Sequence, residues 1–184
     1  MLAKQTRLAY LRSAFAEIYG NAAYDWEMTV QAAPYGQSRI ACAMDSAVLQ
    51  TLRQECAASG ARILFCRPYF DKALDFFRGY GLAKAGILAV VEQDVLTIGQ
   101  WDNRMITEID VEPYEKDWEN TLEAWCARQA LLSDALPEVL VVCPPQFQTS
   151  EVGEHPGLQL LEWPDHVRDL ISNQPSLALP AVAL

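Results

Sequence analysis

Residues 86–101 read GILAVVEQDVLTIGQW, two apolar runs joined by the acidic corner Glu92-Gln93-Asp94. Their pattern predicts strands over 86–91 and 95–101. After an Asp102-Asn103 turn a third strand follows over 104–111, so three consecutive antiparallel strands form a meander. Beyond Pro113 the apolar spacing predicts a helix of about 16 residues, with Trp118, Leu122, Trp125, Gln129 and Leu132 along one side. PEVLVVC (137–143) then reads as a buried strand. From Pro144 the chain turns polar through QFQTSEVGEHPG, returns with LQLLEW, and ends in a weak helical segment over 165–172. The Pro-rich end, PSLALPAVAL, is expected to be a flexible tail over 173–184.

The chain ahead of the meander has its own pattern. Leu8, Leu11, Phe15 and Ile18 are spaced by three and four, which predicts a helix closed by Gly20. YDWEMTVQ alternates, with Trp26, Met28 and Val30 on one face and Asp25, Glu27, Thr29 and Gln31 on the other, as in a half-buried strand. After the Pro34-Tyr35-Gly36 turn, SRIACAM gives the second strand of a hairpin. Asp45 or Ser46 can cap the next helix, whose stripe of Val48, Leu49, Leu52 and Cys56 ends at Gly60. ARILFC, stopped by Pro68, reads as a buried strand, and 71–78 as a short helix with Leu74 and Phe77 inward. Gly79 and Gly81 suggest a boundary, dividing the chain into 1–80 and 86–172.

With 51% hydrophobic and 21% charged residues over 184 positions, the chain has the composition of a packed globular protein. The first 30 residues lack a basic start followed by an apolar block, and no run approaches the roughly 20 apolar residues of a membrane span. An unexported, cytoplasmic protein is expected. Five dispersed cysteines, Cys42, Cys56, Cys66, Cys126 and Cys143, have no C-x-x-C pairing and read as reduced, buried thiols. A net charge of −10 repels a phosphate backbone and argues against a nucleic-acid partner.

Candidate chemistry is sparse. The two histidines, His155 and His166, stand late in the chain with no nucleophile elbow to serve. GYGLAKAG (79–86) is glycine-rich but leads into a strand, whereas phosphate cradles lead into a helix. Glu92 and Asp94 remain as the ligand-binding candidates. At a hairpin tip such carboxylates are expected to be solvated turn residues, and no catalytic residue, metal ligand or cofactor is predicted.

The order strand-strand-strand-helix-strand over 86–143 is that of an actin-like, ribonuclease H-like half-domain. Upstream, YDWEMTV and then SRIACAMDSAVLQTLRQECAASGARILFCRPYFDKAL resemble the type IV pilus assembly family PilM and the cytoplasmic part of the type II secretion family GspL. The matching positions are Trp26 through Val30, Ile40 through Ala43, Leu49, Leu52, Gly60, 63–65, Pro68, Ala73 and Leu74. The resemblance covers roughly 24–143 as a pattern. It implies an α/β mixed sheet with flanking helices and an incomplete first half.

Against the nucleotide-binding members, a helix stands where a glycine-containing meander would bind the first phosphate. Val91-Glu92-Gln93-Asp94 carries no glycine at the second phosphate turn. Cys143-Pro144-Pro145 replaces the glycine pair on the adenosine side, and prolines remove amide donors. The resemblance therefore implies a non-catalytic scaffold or adaptor of a pilus or secretion assembly. Such a place is compatible with lying peripheral to an inner-membrane complex. The alternatives are a small-molecule or nucleotide-binding enzyme lined by Glu92, Asp94 and the 144–157 loop, and a stand-alone regulator with no link to pili. Too few strands in the first region leave edges to cover, so a protein partner or self-association is expected, with Trp101 and Ile106 as its contact residues.

Overall fold

A computed structural model of the chain describes residues 4–32, 36, 38–64, 66–78, 84–103, 105–132, 137–144, 158–161 and 181–183. In chain order these form α1 (Lys4–Tyr19), a 3-10 turn (Asn21–Asp25), β1 (Trp26–Val30), β2 (Ile40–Asp45), α2 (Ser46–Ala58) and α3 (Tyr69–Arg78). There follow β3 (Ala85–Glu92), β4 (Val95–Asp102), β5 (Met105–Pro113), α4 (Trp118–Ala130), β6 (Val139–Val142), β7 (Leu158–Leu161) and β8 (Ala181–Ala183). They make two compact units, Met1–Pro68 with Leu179–Leu184, and Tyr69–Ala178.

The first unit holds an antiparallel sheet of order β1-β2-β8. β1 alternates as its sequence predicts: Trp26, Met28 and Val30 pack with Leu11, Phe15, Ala41 and Ala43 against α1. On the other face Glu27 meets Arg53 of α2 through two hydrogen bonds, 2.8 and 3.0 Å. Asp45 caps α2, its Oδ1 accepting from the amides of Ala47 at 2.7 Å and Val48 at 3.2 Å, which satisfies two donors of the first turn. Gly20 and Gly60 follow their helices at φ +74, a left-handed conformation that suits glycine. Two expectations are corrected in this unit. The described residues of ARILFC form no strand, and Leu64 is 74% exposed. Both sides of β2 are already paired, to β1 and to β8, so the run has no place beside it. The end expected to be a flexible tail supplies Ala181–Ala183 as that third strand.

The second unit is a five-stranded mixed sheet of order β5-β4-β3-β6-β7. β3, β4 and β5 form the predicted antiparallel meander, while β6 is parallel to β3 and β7 parallel to β6. β3 is buried from Gly86 to Glu92 because both faces of the sheet are covered. One face packs Ile87, Ala89, Val91, Leu96 and Ile98 against Trp118, Leu122 and Trp125 of α4. Trp125 Nε1 also donates to Asp110 of β5 at 2.8 Å, and Arg128 pairs with Glu112. α4 is N-capped by Asp117 and spans 13 residues, so Leu132 lies beyond it and is exposed.

The opposite face carries α3, whose Phe70, Ala73, Leu74 and Phe77 are buried. There Phe70 lies on Gly99 and Trp101 on Gly86. A Cβ at either glycine would stand 2.2 Å from the ring above it. This packing joins α3 to the second sheet, so the units divide at Pro68/Tyr69, ahead of the glycine pair that suggested a boundary. Cys143 is buried, Cys42, Cys56 and Cys126 are half-buried, and Cys66 is exposed, contrary to the expectation that all five are interior.

Candidate functional site

The parallel strands β3 and β6 end side by side, at Glu92 and at Cys143-Pro144. In open α/β sheets ligands commonly bind outside the carboxyl ends of such strands. The turn between β3 and β4 consists of Gln93 and Asp94 alone, and Glu92 pairs with Val95 as the last rung of the hairpin. Glu92 is therefore not the solvated turn residue its sequence position suggests. It is 4% exposed, because the two-residue turn leaves it inside the sheet, on the face that also bears Val90, Thr97 and Trp101. Asp94 fits the expectation: it is exposed and occupies the left-handed region at φ 61, a conformation Asp tolerates in tight turns.

The corner is closed by Tyr114, just beyond β5. Its amide donates to the Asp94 carbonyl at 3.1 Å and its hydroxyl to the Glu92 carbonyl at 2.5 Å. The Glu92 carboxyl accepts from Thr97 Oγ1 at 3.3 Å. Burial pushes the Glu92 carboxyl up to about 7, with the Thr97 hydrogen bond opposing the shift. Burial, and then the charges of Cys143, Asp94 and Glu92, push the Tyr114 phenol up to about 12. Burial first and the Glu119 carboxylate second raise the Cys143 thiol to about 12. A thiol so held is protonated and a poor nucleophile or metal ligand.

This arrangement can hold a proton near neutral pH. Tyr114 has spent its amide and hydroxyl on closing the turn, and the corner carries no glycine whose backbone could approach a phosphate. Among the described residues, no group of three His, Cys, Asp or Glu side chains could hold a metal ion. His155, His166 and residues 145–157, part of the proposed ligand-lining loop, lie outside the described residues.

The residues expected to meet a partner are interior. Trp101 is 5% exposed, its ring seated on Gly86, and Ile106 is 4% exposed as the cross-strand neighbour of Trp101. The register shifts between Gln100 and Trp101, and this irregularity brings Ile106 opposite Trp101 on the face covered by α3. Sequence reasoning missed Thr97 and Tyr114 as parts of the corner. Thr97 was findable: a two-residue turn puts it opposite Val90, diagonal to Glu92. Nothing in the sequence around Tyr114 signals its reach back across the sheet. No described helix is long and apolar enough to cross a membrane. Compared with known protein families, with curated proteins and with solved structures, the chain matches none of them.

Proposed function

We propose that the chain is a non-catalytic domain of the actin-like, ribonuclease H-like class, acting as a cytoplasmic scaffold or adaptor in a type IV pilus or type II secretion-like assembly. The observation that carries this reading is the strand order of the second unit. Three antiparallel strands follow one another in the chain, a helix crosses over, and the fourth strand lies parallel to the first. That is the arrangement such a half-domain requires. The absence of catalysis rests on the corner, where a phosphate would need free backbone amides. There the Tyr114 amide is bonded to Asp94 and the hairpin tip lacks glycine. A net charge of −10 further disfavours a polyanionic ligand. Because Trp101 and Ile106 are buried, a partner contact has to use other residues. Tyr10 and Ile18, two turns apart on α1, are both exposed.

One observation favours a second reading, a small-molecule or nucleotide-binding enzyme. A buried carboxyl that titrates near neutrality, at the carboxyl end of a parallel strand, is a recurrent feature of active sites. Calorimetric titration with Mg·ATP separates the two. The scaffold reading expects no binding heat. A micromolar dissociation constant, about 8 kcal/mol of binding free energy, would overturn it in favour of the enzyme.

A further inference from the structure

The β3–β4 corner combines three features that the scaffold reading does not use. The Glu92 side chain is almost completely buried, yet the hydroxyl of Thr97, at 3.3 Å, is the partner its carboxyl finds. Its own main-chain carbonyl anchors Tyr114, whose amide in turn holds Asp94, so carboxyl and closure meet at the last rung of the hairpin and its turn. No described cation bonds to its carboxyl. Asp94 shares the turn, the Tyr114 phenol lies beyond β5, and the buried Cys143 thiol follows β6. The helix over that face carries Tyr69, Asp71, Lys72, Asp75 and Arg78. Among the described residues no cation acts on Glu92: burial opposes its ionisation and the Thr97 hydrogen bond alone favours it. An ionised carboxylate left buried without a cation is costly, whereas the neutral acid is tolerated.

The geometry points to a proton-operated latch at the corner of this hairpin, in which neutral Glu92 keeps the Gln93-Asp94 turn closed on Tyr114 and loss of its proton loosens that closure. This inference does not depend on the scaffold reading. When the corner opens, the carboxyl reaches water and ionises with the ordinary value of 4.5, against about 7 when closed. The sign follows from that difference. The closed form binds the proton more tightly, so its extra stability is fully present below 4.5 and is lost as pH rises through about 7. Within that window the opening equilibrium rises by up to about tenfold per pH unit, and it levels off above it.

Hydrogen exchange of the Tyr114 amide, corrected for its chemical rate, reads the latch directly in the full chain. Protection is expected to fall by up to about tenfold per unit between roughly pH 5 and 7 and then flatten. In Glu92→Gln, which mimics the neutral acid, protection should stay level over the same range. An unchanged pH dependence in that variant, or none in the unsubstituted protein, overturns the proposal. Should Glu92→Gln not fold, the carbon-13 titration of the Glu92 carboxyl in the unsubstituted protein decides. A midpoint near 7 supports the latch, and one near 4.5 overturns it. Thr97→Val, which removes the one group favouring the ionised form, should move the midpoint higher still; a fall would contradict the arrangement.

Discussion

The two sheets of this chain bury their residues in different ways. β3, in the second unit, is buried at every position from Gly86 to Glu92, with α4 on one face and α3 on the other. β1, in the first unit, is half-buried at every second position and exposed between, and its outward face carries the Glu27–Arg53 ion pair. A strand covered on both faces disfavours an unpaired carboxylate, and burial raises the Glu92 carboxyl to about 7. A strand with a wet face leaves Glu27 ionised, its acidity increased chiefly by the Arg53 hydrogen bond. The same residue type thus meets opposite electrostatic conditions according to how fully its face of the sheet is covered.

The sharpest way to break this contrast is to truncate the interior of the second unit. Trp101→Ala should destabilise the protein by about 3–5 kcal/mol, the range for deleting a large buried aromatic. By the scale for chains of this size, that lowers the melting temperature by roughly 6–20 °C. If Trp101 were instead a contact for a partner, the variant would melt like the parent and lose only association. A smaller loss is expected from adding a methyl group where none fits. In Gly99→Ala the new Cβ meets the buried Phe70 ring, and overpacking of this kind typically costs about 1–3 kcal/mol. Denaturant unfolding checks it, and a neutral result would mean that α3 does not press on that face.

The first unit should respond more mildly. Asp45→Ala removes the side chain that satisfies two amides of α2, for an expected loss of about 1 kcal/mol, and Asp45→Asn should recover most of it. Thermal melts of the two variants check both values. The smallest effect belongs to the Glu27–Arg53 pair, which is exposed and screened by solvent. Glu27 has a folded-state value below its ordinary one, so its contribution is present above that ordinary value and fades on acidification. Glu27→Gln should leave the melting temperature at pH 7 almost unchanged and slightly flatten its fall below about pH 4.5.

What can be read from the sequence follows the same division. The alternation in YDWEMTV marks both the strand and its inward residues, and the tight acidic corner marks the hairpin, because both are set by neighbours in the chain. Partner choice over long distances is not legible. ARILFC has the composition of a buried strand, but the place beside β2 goes to Ala181–Ala183, from the far end of the chain. LQLLEW contributes β7 with only four residues, too few for a periodic signal to separate strand from loop. The site is half legible. Glu92 and Asp94 stand out as carboxylates, but which of them is buried depends on whether the turn takes two residues or three. Trp101 and Ile106 look like uncovered surface because the glycines after α3 group that helix with the first region instead of with the sheet it covers.

The central claim is that the hairpin of residues 86–101 is the closed, doubly covered middle of its unit. Residue-resolved hydrogen exchange of the full chain tests it most directly. The amides of Leu88, Val90, Leu96 and Ile98, interior to that sheet, are predicted to exchange only through global unfolding and to be among the slowest in the protein. The β1 amides should exchange orders of magnitude faster, through local opening of a three-stranded edge. If instead Leu88, Val90, Leu96 and Ile98 exchanged as fast as β1, the hairpin would be an open element available to a ligand or a partner, and the central claim would be contradicted.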